Sequence, residues 1–189
     1  MNNYDKYSHL IFLFLFGLIL LTTDVSAADK VLDASQLDQN SASLTEYFAV
    51  LEDPGHSLTL ADVQKPGMAN RFKGGQAPAE ALSYGFTRSA YWLRLTLRNA
   101  SGQPIERRLE IGYPILSNIQ FHQPMADGTY QSLATGVATP FSTRPHPNRF
   151  FVFPLILPAH SDQVVYLRIE SASSMLVPAR LWDPQAFHA

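Results

Sequence analysis

The stretch SAYWLRLTLRNASG, Ser89 to Gly102, alternates without a break. Tyr91, Leu93, Leu95 and Leu97 fall on one side; Trp92, Arg94, Thr96 and Arg98 fall on the other. A period of two marks a strand with one face against a core. The leucines need a second layer to pack on. The other face is the harder question, because a simply solvated face does not ordinarily carry a Trp flanked by arginine.

The same pattern returns downstream. In ERRLEIGY, Leu109 and Ile111 face one way and Arg108 and Glu110 the other. SNIQFHQ reads as a strand, followed by a hairpin turn at Asp127-Gly128. Phe150 to Leu157 is a dense apolar strand whose Pro154 predicts an edge position or a bulge. In QVVYLRIES, Val165, Leu167 and Ile169 point inward, and Tyr166 and Arg168 outward. Short strands separated by Gly and Pro turns, with no long helix between them, predict a β-sandwich or jelly roll.

Ahead of the strands the reading changes. Ser43-Leu-Thr-Glu46 has the form of a capping box, and Leu44, Tyr47, Phe48 and Leu51 follow at helical spacing. This predicts one short amphipathic helix, stopped at Asp53-Pro54-Gly55. HSLTL reads as a short strand, Leu60 to Val63 as a helical turn, and residues 65–80 as a Gly/Pro-rich loop. Residues 29–42 read as a polar, flexible segment. Before them, Lys6 precedes the uncharged run Leu10 to Leu21, and small residues follow at Val25 to Ala28. That is the layout of a secretory signal peptide over residues 1–28, and the run is short for a membrane span of about 20 residues. The predicted organisation is thus an export signal, a flexible segment at 29–42 and a β-sandwich domain over 43–189.

Composition excludes several classes of function. The 189 residues include no cysteine, so an exported chain must rest on its packed core alone. A net charge of -2 argues against a nucleic-acid partner, which demands a basic surface. No Gly-x-Ser-x-Gly elbow and no cysteine nucleophile are present, and the histidines (His9, His56, His122, His146, His160, His188) lack metal-ligand spacing. They read as exposed loop residues. Lys73-Gly74-Gly75 lacks the phosphate-loop pattern. Asn99-Ala100-Ser101 matches a glycosylation acceptor. No cofactor, no metal and no catalytic residue is expected.

The outward positions carry the functional reading. Trp92, Arg94, Glu110, Tyr166 and Arg168, rimmed by Arg144 and Arg149 of the Pro-rich loop, are the candidate ligand contacts. Arginine offers paired donors to hydroxyls, carboxylates or phosphates, and Trp and Tyr give flat apolar platforms. Cross-strand Arg–Glu pairs and a Trp–Arg contact with no ligand explain the same residues equally.

Five segments taken in order resemble one bacterial family. They are YFAVLEDPGHSLTLADV, YGFTRSAYWLRLTLRNAS, RRLEIGYPILSNIQFHQPMADGTY, TGVATPFSTRPHPNRFFVFPLILPAHSDQVVYLRIES and LWDPQAFHA, spanning residues 44–189. The family is the type 2 extracellular sensor domain of seven-transmembrane receptors with diverse intracellular signalling modules. The resemblance implies a jelly-roll sandwich similar to carbohydrate-binding modules, held in the periplasm ahead of a seven-helix membrane module in cis. It implies a small-molecule ligand, carbohydrates among the candidates, and an output such as a diguanylate cyclase or histidine kinase further along the receptor. Its recurrent positions here would include Trp92, Arg94, Asn99, Asp127, Gly128, Gly136, Arg144, Arg149 and Arg168, several of which are turn or core positions. Because membrane helices do not follow within these residues, the chain is expected to be a fragment of such a receptor and not itself an enzyme. The alternatives are a secreted carbohydrate-binding module and an interaction domain that binds no small ligand and forms a homodimer through an edge strand or apolar patch.

Overall fold

A computed structural model describes residues 29–37 and 40–188 of the chain. The predicted signal peptide lies outside the described residues. Strands dominate the remainder. The longest are β5 (Ala90–Asn99) and β10 (Ser161–Glu170), and they pair antiparallel along nearly their whole length, from Ser161 opposite Asn99 to Ile169 opposite Tyr91.

This pair is one shell of a nested set. β7 (Asn118–Pro124) pairs with β8 (Tyr130–Thr135), β6 (Ile105–Ile111) with β9 (Phe151–Leu157), and β4 (Leu82–Phe86) with β11 (Ser174–Val177), all antiparallel. Outermost, β2 (Ser41–Ser43) pairs with β12 (Ala179–Trp182). A long hairpin folded back in this nested way is the jelly-roll arrangement. The ladders settle into a first sheet, β1-β5-β10-β7-β8, a second sheet, β2-β12-β6-β9, and a separate β4-β11 ribbon. β1 (Val31–Asp33) and β3 (Ala49–Asp53) share one edge of β5: β3 runs along Ala90–Arg94 and β1, parallel, along Thr96–Arg98.

The main core lies between the two large sheets. Leu93, Leu95, Leu97, Phe121, Val165, Leu167 and Ile169 of the first meet Leu109, Ile111, Phe153, Leu155 and Leu181 of the second, all fully buried. The Phe121 and Phe153 rings stack across the interface with centroids 4.7 Å apart. Burial of this apolar area is the main stabilising term, at roughly 25 cal/mol per Å² removed from water. Pro154 sits on β9, an edge strand, where its missing N–H leaves no ladder bond unmade. Gly128, at φ +82°, turns the chain between β7 and β8 as the Asp-Gly pair predicted. Asn99 is wholly buried. Its amide donates to the carbonyls of Gln103, Leu157 and Pro158, so this residue ties two turns together and presents no acceptor for glycosylation.

Four local expectations are corrected. The helix predicted from Leu44 through Leu51 is a single 3-10 turn, Thr45–Tyr47, and the chain then enters β3. The reason is that β3 is buried on both faces: Phe48 and Val50 enter the main core, while Ala49 and Leu51 pack on its far side. Apolar residues at successive positions imitate a helical stripe. The capping box forms later, with Thr59 and Asp62 at the start of α1 (Leu60–Val63). HSLTL is not a strand, because the Asp53 carboxylate accepts the amides of Ser57 and Leu58 and bends that segment into a turn. The segment read as flexible supplies β1 and β2. Finally, His122 is not an exposed loop residue; it lies on β7, 5% exposed.

Candidate functional site

The outer face of the first sheet is covered. Residues 58–72, carrying α1 and a 3-10 turn at Pro66–Arg71, fold back across it. Val63 and Phe72, joined by Leu58, Leu60 and Met68, pack on Ala49, Leu51, Trp92 and Tyr166. A second, smaller core results. The segment is then stitched to the edge of β3, where Lys73 and Val50 exchange both backbone hydrogen bonds, at 2.8 and 3.0 Å.

Trp92, Arg94, Tyr166 and Arg168 are therefore neighbours, as the alternation suggested, but under this covering segment. In register, Tyr166 lies opposite Arg94 and Arg168 opposite Trp92. The Arg94 guanidinium reaches Asp29 at 2.7 Å and sits 4.4 Å from the centre of the Phe72 ring. Arg168, 8% exposed, is paired with Glu170. Trp92 is 1% exposed and stacks on His122. Glu110 lies elsewhere. It is on β6 of the second sheet, where it accepts the Trp182 indole N–H at 2.6 Å. Arg144 lies over the Phe141 and Phe151 rings and donates to the Asn148 and Arg149 carbonyls. Arg149 is exposed and lies over Phe150. The seven candidates thus divide into a covered cluster of four, a second-sheet carboxylate and two loop arginines.

The covered cluster contains buried polar atoms without hydrogen-bond partners: Trp92 Nε1, Arg94 Nε and His122 Nε2. Such atoms cost about 1–3 kcal/mol each, so a fold keeps few of them. His122 Nδ1 is satisfied by the Ser132 hydroxyl at 2.7 Å. Burial pushes the His122 imidazole down to about 4, with the nearby Arg168 adding to the effect, so the ring is neutral at pH 7.

A charged cluster fastens the root of the covering segment. His56 Nδ1 lies 2.9 Å from Glu170 Oε1, and Nε2 faces the Arg88 carbonyl. Both partners are acceptors, so only the imidazolium, with both ring nitrogens donating, satisfies both contacts. The Arg88 carbonyl and then Glu170 raise its pKa. Burial alone would push the Glu170 carboxyl up, but His56 and Arg168 together bring it below the ordinary range.

The open site lies beside this segment and was not foreseen. A cleft of about 500 Å³ runs between β3, residues 70–76 and β4. Its walls carry Glu52, Asn70, Arg71, Lys73, Gln76, Tyr84 and Tyr91. Tyr84 and Tyr91 are stacked, with centroids 4.0 Å apart and planes at 20°. Burial raises the pKa of both phenols, which stay neutral hydrogen-bonding groups. Glu52 accepts the Ser89 hydroxyl at 2.6 Å. Two tyrosine rings with Val50 and Leu51, set among polar and charged groups that converge on one space, can hold a small molecule. Sequence reading missed it because β4 and residues 70–76 looked like separate loop and strand. Only the fold brings them to one edge. The sole advance signal was Tyr91, on the inward side of its strand where the other positions are leucine.

The family model for "7TMR-DISM extracellular 2" matches residues 45–183. No curated protein matches the chain. Among solved structures, the enzymatically active domain of tailspike protein 4 from bacteriophage CBA120 superposes at a TM-score of 0.38 with 10% identity, over 78% of this chain and 21% of that one. An isomalto-dextranase of Arthrobacter globiformis T6, complexed with panose, gives 0.28 and 11%, over 54% and 18%. The chain thus spans about a fifth of the length of these two structures. Among the described residues no helix is long and apolar enough to cross a membrane.

Proposed function

The chain belongs to the 7TMR-DISM extracellular 2 family, and from that premise we propose that it is the extracytoplasmic ligand-sensing domain of a bacterial signalling receptor. Its own part is binding, not catalysis. A seven-helix membrane module in cis would carry the signal on. The ligand is a small carbohydrate-like or anionic molecule, and the cleft between β3 and β4 holds it. The observation that carries this reading is the stacked Tyr84–Tyr91 pair in an open cleft of about 500 Å³ rimmed by amides and charges.

The cleft also suggests a route for the signal. Tyr84 lies on β4, which is hydrogen-bonded to β11, and β11 leads through Pro178 directly into β12 of the second sheet. On the other wall, Asn70 and Arg71 belong to the segment that covers Trp92 and Tyr166. A ligand that draws the walls together shifts both elements. It biases the receptor only if it binds two states with different affinity.

The test is a thermal-shift panel of neutral sugars, sugar acids, amino acids and inorganic anions. A rise in melting temperature that grows with ligand concentration, and is lost in Tyr84→Ala, is the expected result. A folded protein with no shift across the panel overturns the reading.

A second reading rests on the unpartnered Trp92 Nε1 and His122 Nε2. Here the ligand lies beneath residues 58–72 and satisfies those atoms. In a Trp182→Phe variant Trp92 is the remaining tryptophan. A ligand that changes its emission supports the covered site; one that shifts melting with unchanged emission supports the open cleft.

A further inference from the structure

The cationic groups of the cleft are unlike most others in the molecule. Arg94, Arg98, Arg107 and Arg168 each sit on a carboxylate. Arg71 and Lys73 do not: among the described residues neither takes part in an ion pair. Among the described residues the side-chain hydrogen bond of Arg71 is to the Met68 sulfur at 3.4 Å. Both side chains are exposed, yet their backbones are held, Arg71 at the end of a 3-10 turn and Lys73 by its two bonds to Val50. Two cations on one cleft wall, fixed at the root and unpaired at the tip, form a receptor for an anion.

The rest of the cleft narrows the class. Glu52 places a carboxylate in the same space, so the lining is not uniformly positive. That acid already accepts the Ser89 hydroxyl, and the Tyr91 hydroxyl lies against it. It is committed to neutral O–H donors, which favours a ligand hydroxyl over an ammonium at that end. Asn70 and Gln76 add amides, which both donate and accept, as hydroxyl recognition requires. A simple anion would leave the amides, the acid and the tyrosine pair unused. Building on the cleft reading above, we infer that the site selects a hydroxylated carboxylate of uronic-acid size. Arg71 and Lys73 hold the carboxylate; Glu52, Asn70 and Gln76 read the hydroxyls.

The probes are D-galacturonate and D-glucuronate against D-galactose and D-glucose, measured by titration calorimetry on the protein and on an Arg71→Gln/Lys73→Gln double variant. The expected result is uronate binding at least about tenfold tighter than the matching neutral sugar, weakened by added salt. That preference is absent from the double variant. Both substituted side chains are exposed, so the double variant should melt with the parent, which checks its fold. Equal binding of uronate and neutral sugar overturns the charge selection and leaves the cleft reading standing. Uronate binding untouched by the double substitution overturns the assignment to Arg71 and Lys73. Tighter binding of an amino acid control such as glycine overturns the hydroxyl assignment. Silence from every probe, in a protein that melts cooperatively, overturns this inference; the cleft reading falls with it only if the wider thermal-shift panel is silent too.

Discussion

The two faces of the first sheet are built from the same strands and differ in almost every other respect. On the inner face, leucines and phenylalanines from distant strands meet the second sheet, and the main core is almost wholly aliphatic and aromatic, with the Tyr91 phenol at its edge. On the outer face, one local segment, residues 58–72, closes over Trp92 and Tyr166 and lays Phe72 against Arg94, with His122 and Arg168 buried beside them. The inner face makes its contacts through whole ladders. The outer face depends on a short α-helix, one 3-10 turn and a charged cluster at His56. It also retains buried polar atoms with no partner. Stability is therefore concentrated on one side of β5 and adaptability on the other, and the open cleft lies where the adaptable side meets the edge.

Substitutions ordered by size can break this contrast. The largest loss should follow Phe153→Ala, which empties a fully buried site opposite Phe121 and should cost about 3–5 kcal/mol in chemical denaturation. A small loss there would mean that the main core is not what holds the sheets together. Arg168→Ala should cost about 1.5–3 kcal/mol, because it removes one of the two ion pairs of Glu170, leaving His56 as its charged partner, and takes a nearly buried guanidinium out of the outer face. If that variant keeps its melting temperature, the outer-face arginines are not structural pairs and direct ligand contact regains weight.

Acid separates the faces next. The buried cluster of the inner face holds no group that takes up a proton in acid, whereas His122 is held neutral with its pKa at about 4. The unfolded chain takes up that proton near pH 6.5 and the folded chain does not. Stability should fall as pH drops from about 6.5 to about 4, by roughly 3 kcal/mol in all, and His122→Phe should flatten this part of the profile. His56 acts with the opposite sign. Its raised pKa gives a contribution that is full below its unfolded value and lost as pH rises through the folded one. Hydrogen-exchange protection in residues 53–63, taken relative to the intrinsic rate at each pH, should fall on the alkaline side, and in His56→Leu it should be low at every pH.

Trp92→Phe should change stability by less than about 1 kcal/mol, since the volume lost is offset by removing an unpartnered N–H. A loss as large as that of Phe153→Ala would show that the indole is better satisfied than its surroundings indicate. The smallest effect belongs to the exposed end of the same face. Arg98 and Asp162 pair at 2.7 and 2.8 Å in open solvent, and Arg98→Ala should leave the melting temperature unchanged.

The sequence made one face legible and obscured the other. Leu93, Leu95 and Leu97 announce a core because period two admits no other partner for them, and the jelly-roll class follows from their repetition in β6 and β10. The same logic carried Trp92, Arg94, Tyr166 and Arg168 correctly to one sheet. It placed Glu110 beside them only because strand order is invisible in a periodic pattern; the register puts β6 in the second sheet. The doubly buried β3 imitated a helix for want of polar positions to break the tie. The cleft was hidden for another reason. Glu52, Arg71, Lys73 and Tyr84 are ordinary residues individually, and long-range pairing of β3, β4 and the Lys73 bridge alone gives them a common space.

The nested hairpin has a consequence for how such a chain becomes structured in time. β7 and β8 adjoin in sequence and can close as soon as both exist, but every shell outside them waits for a later segment. Arg98 and Asp162, side by side in the finished sheet, stand 64 positions apart. A chain emerging from its amino end therefore exposes β4 and β5 well before β11 and β10 arrive to pair with them. Throughout that interval the leucine-rich β5 presents an unpaired edge, the element most prone to associate with another chain. Yield outside the cytoplasm should then depend on the delay between the first and last strands, and on whatever shields β5 meanwhile.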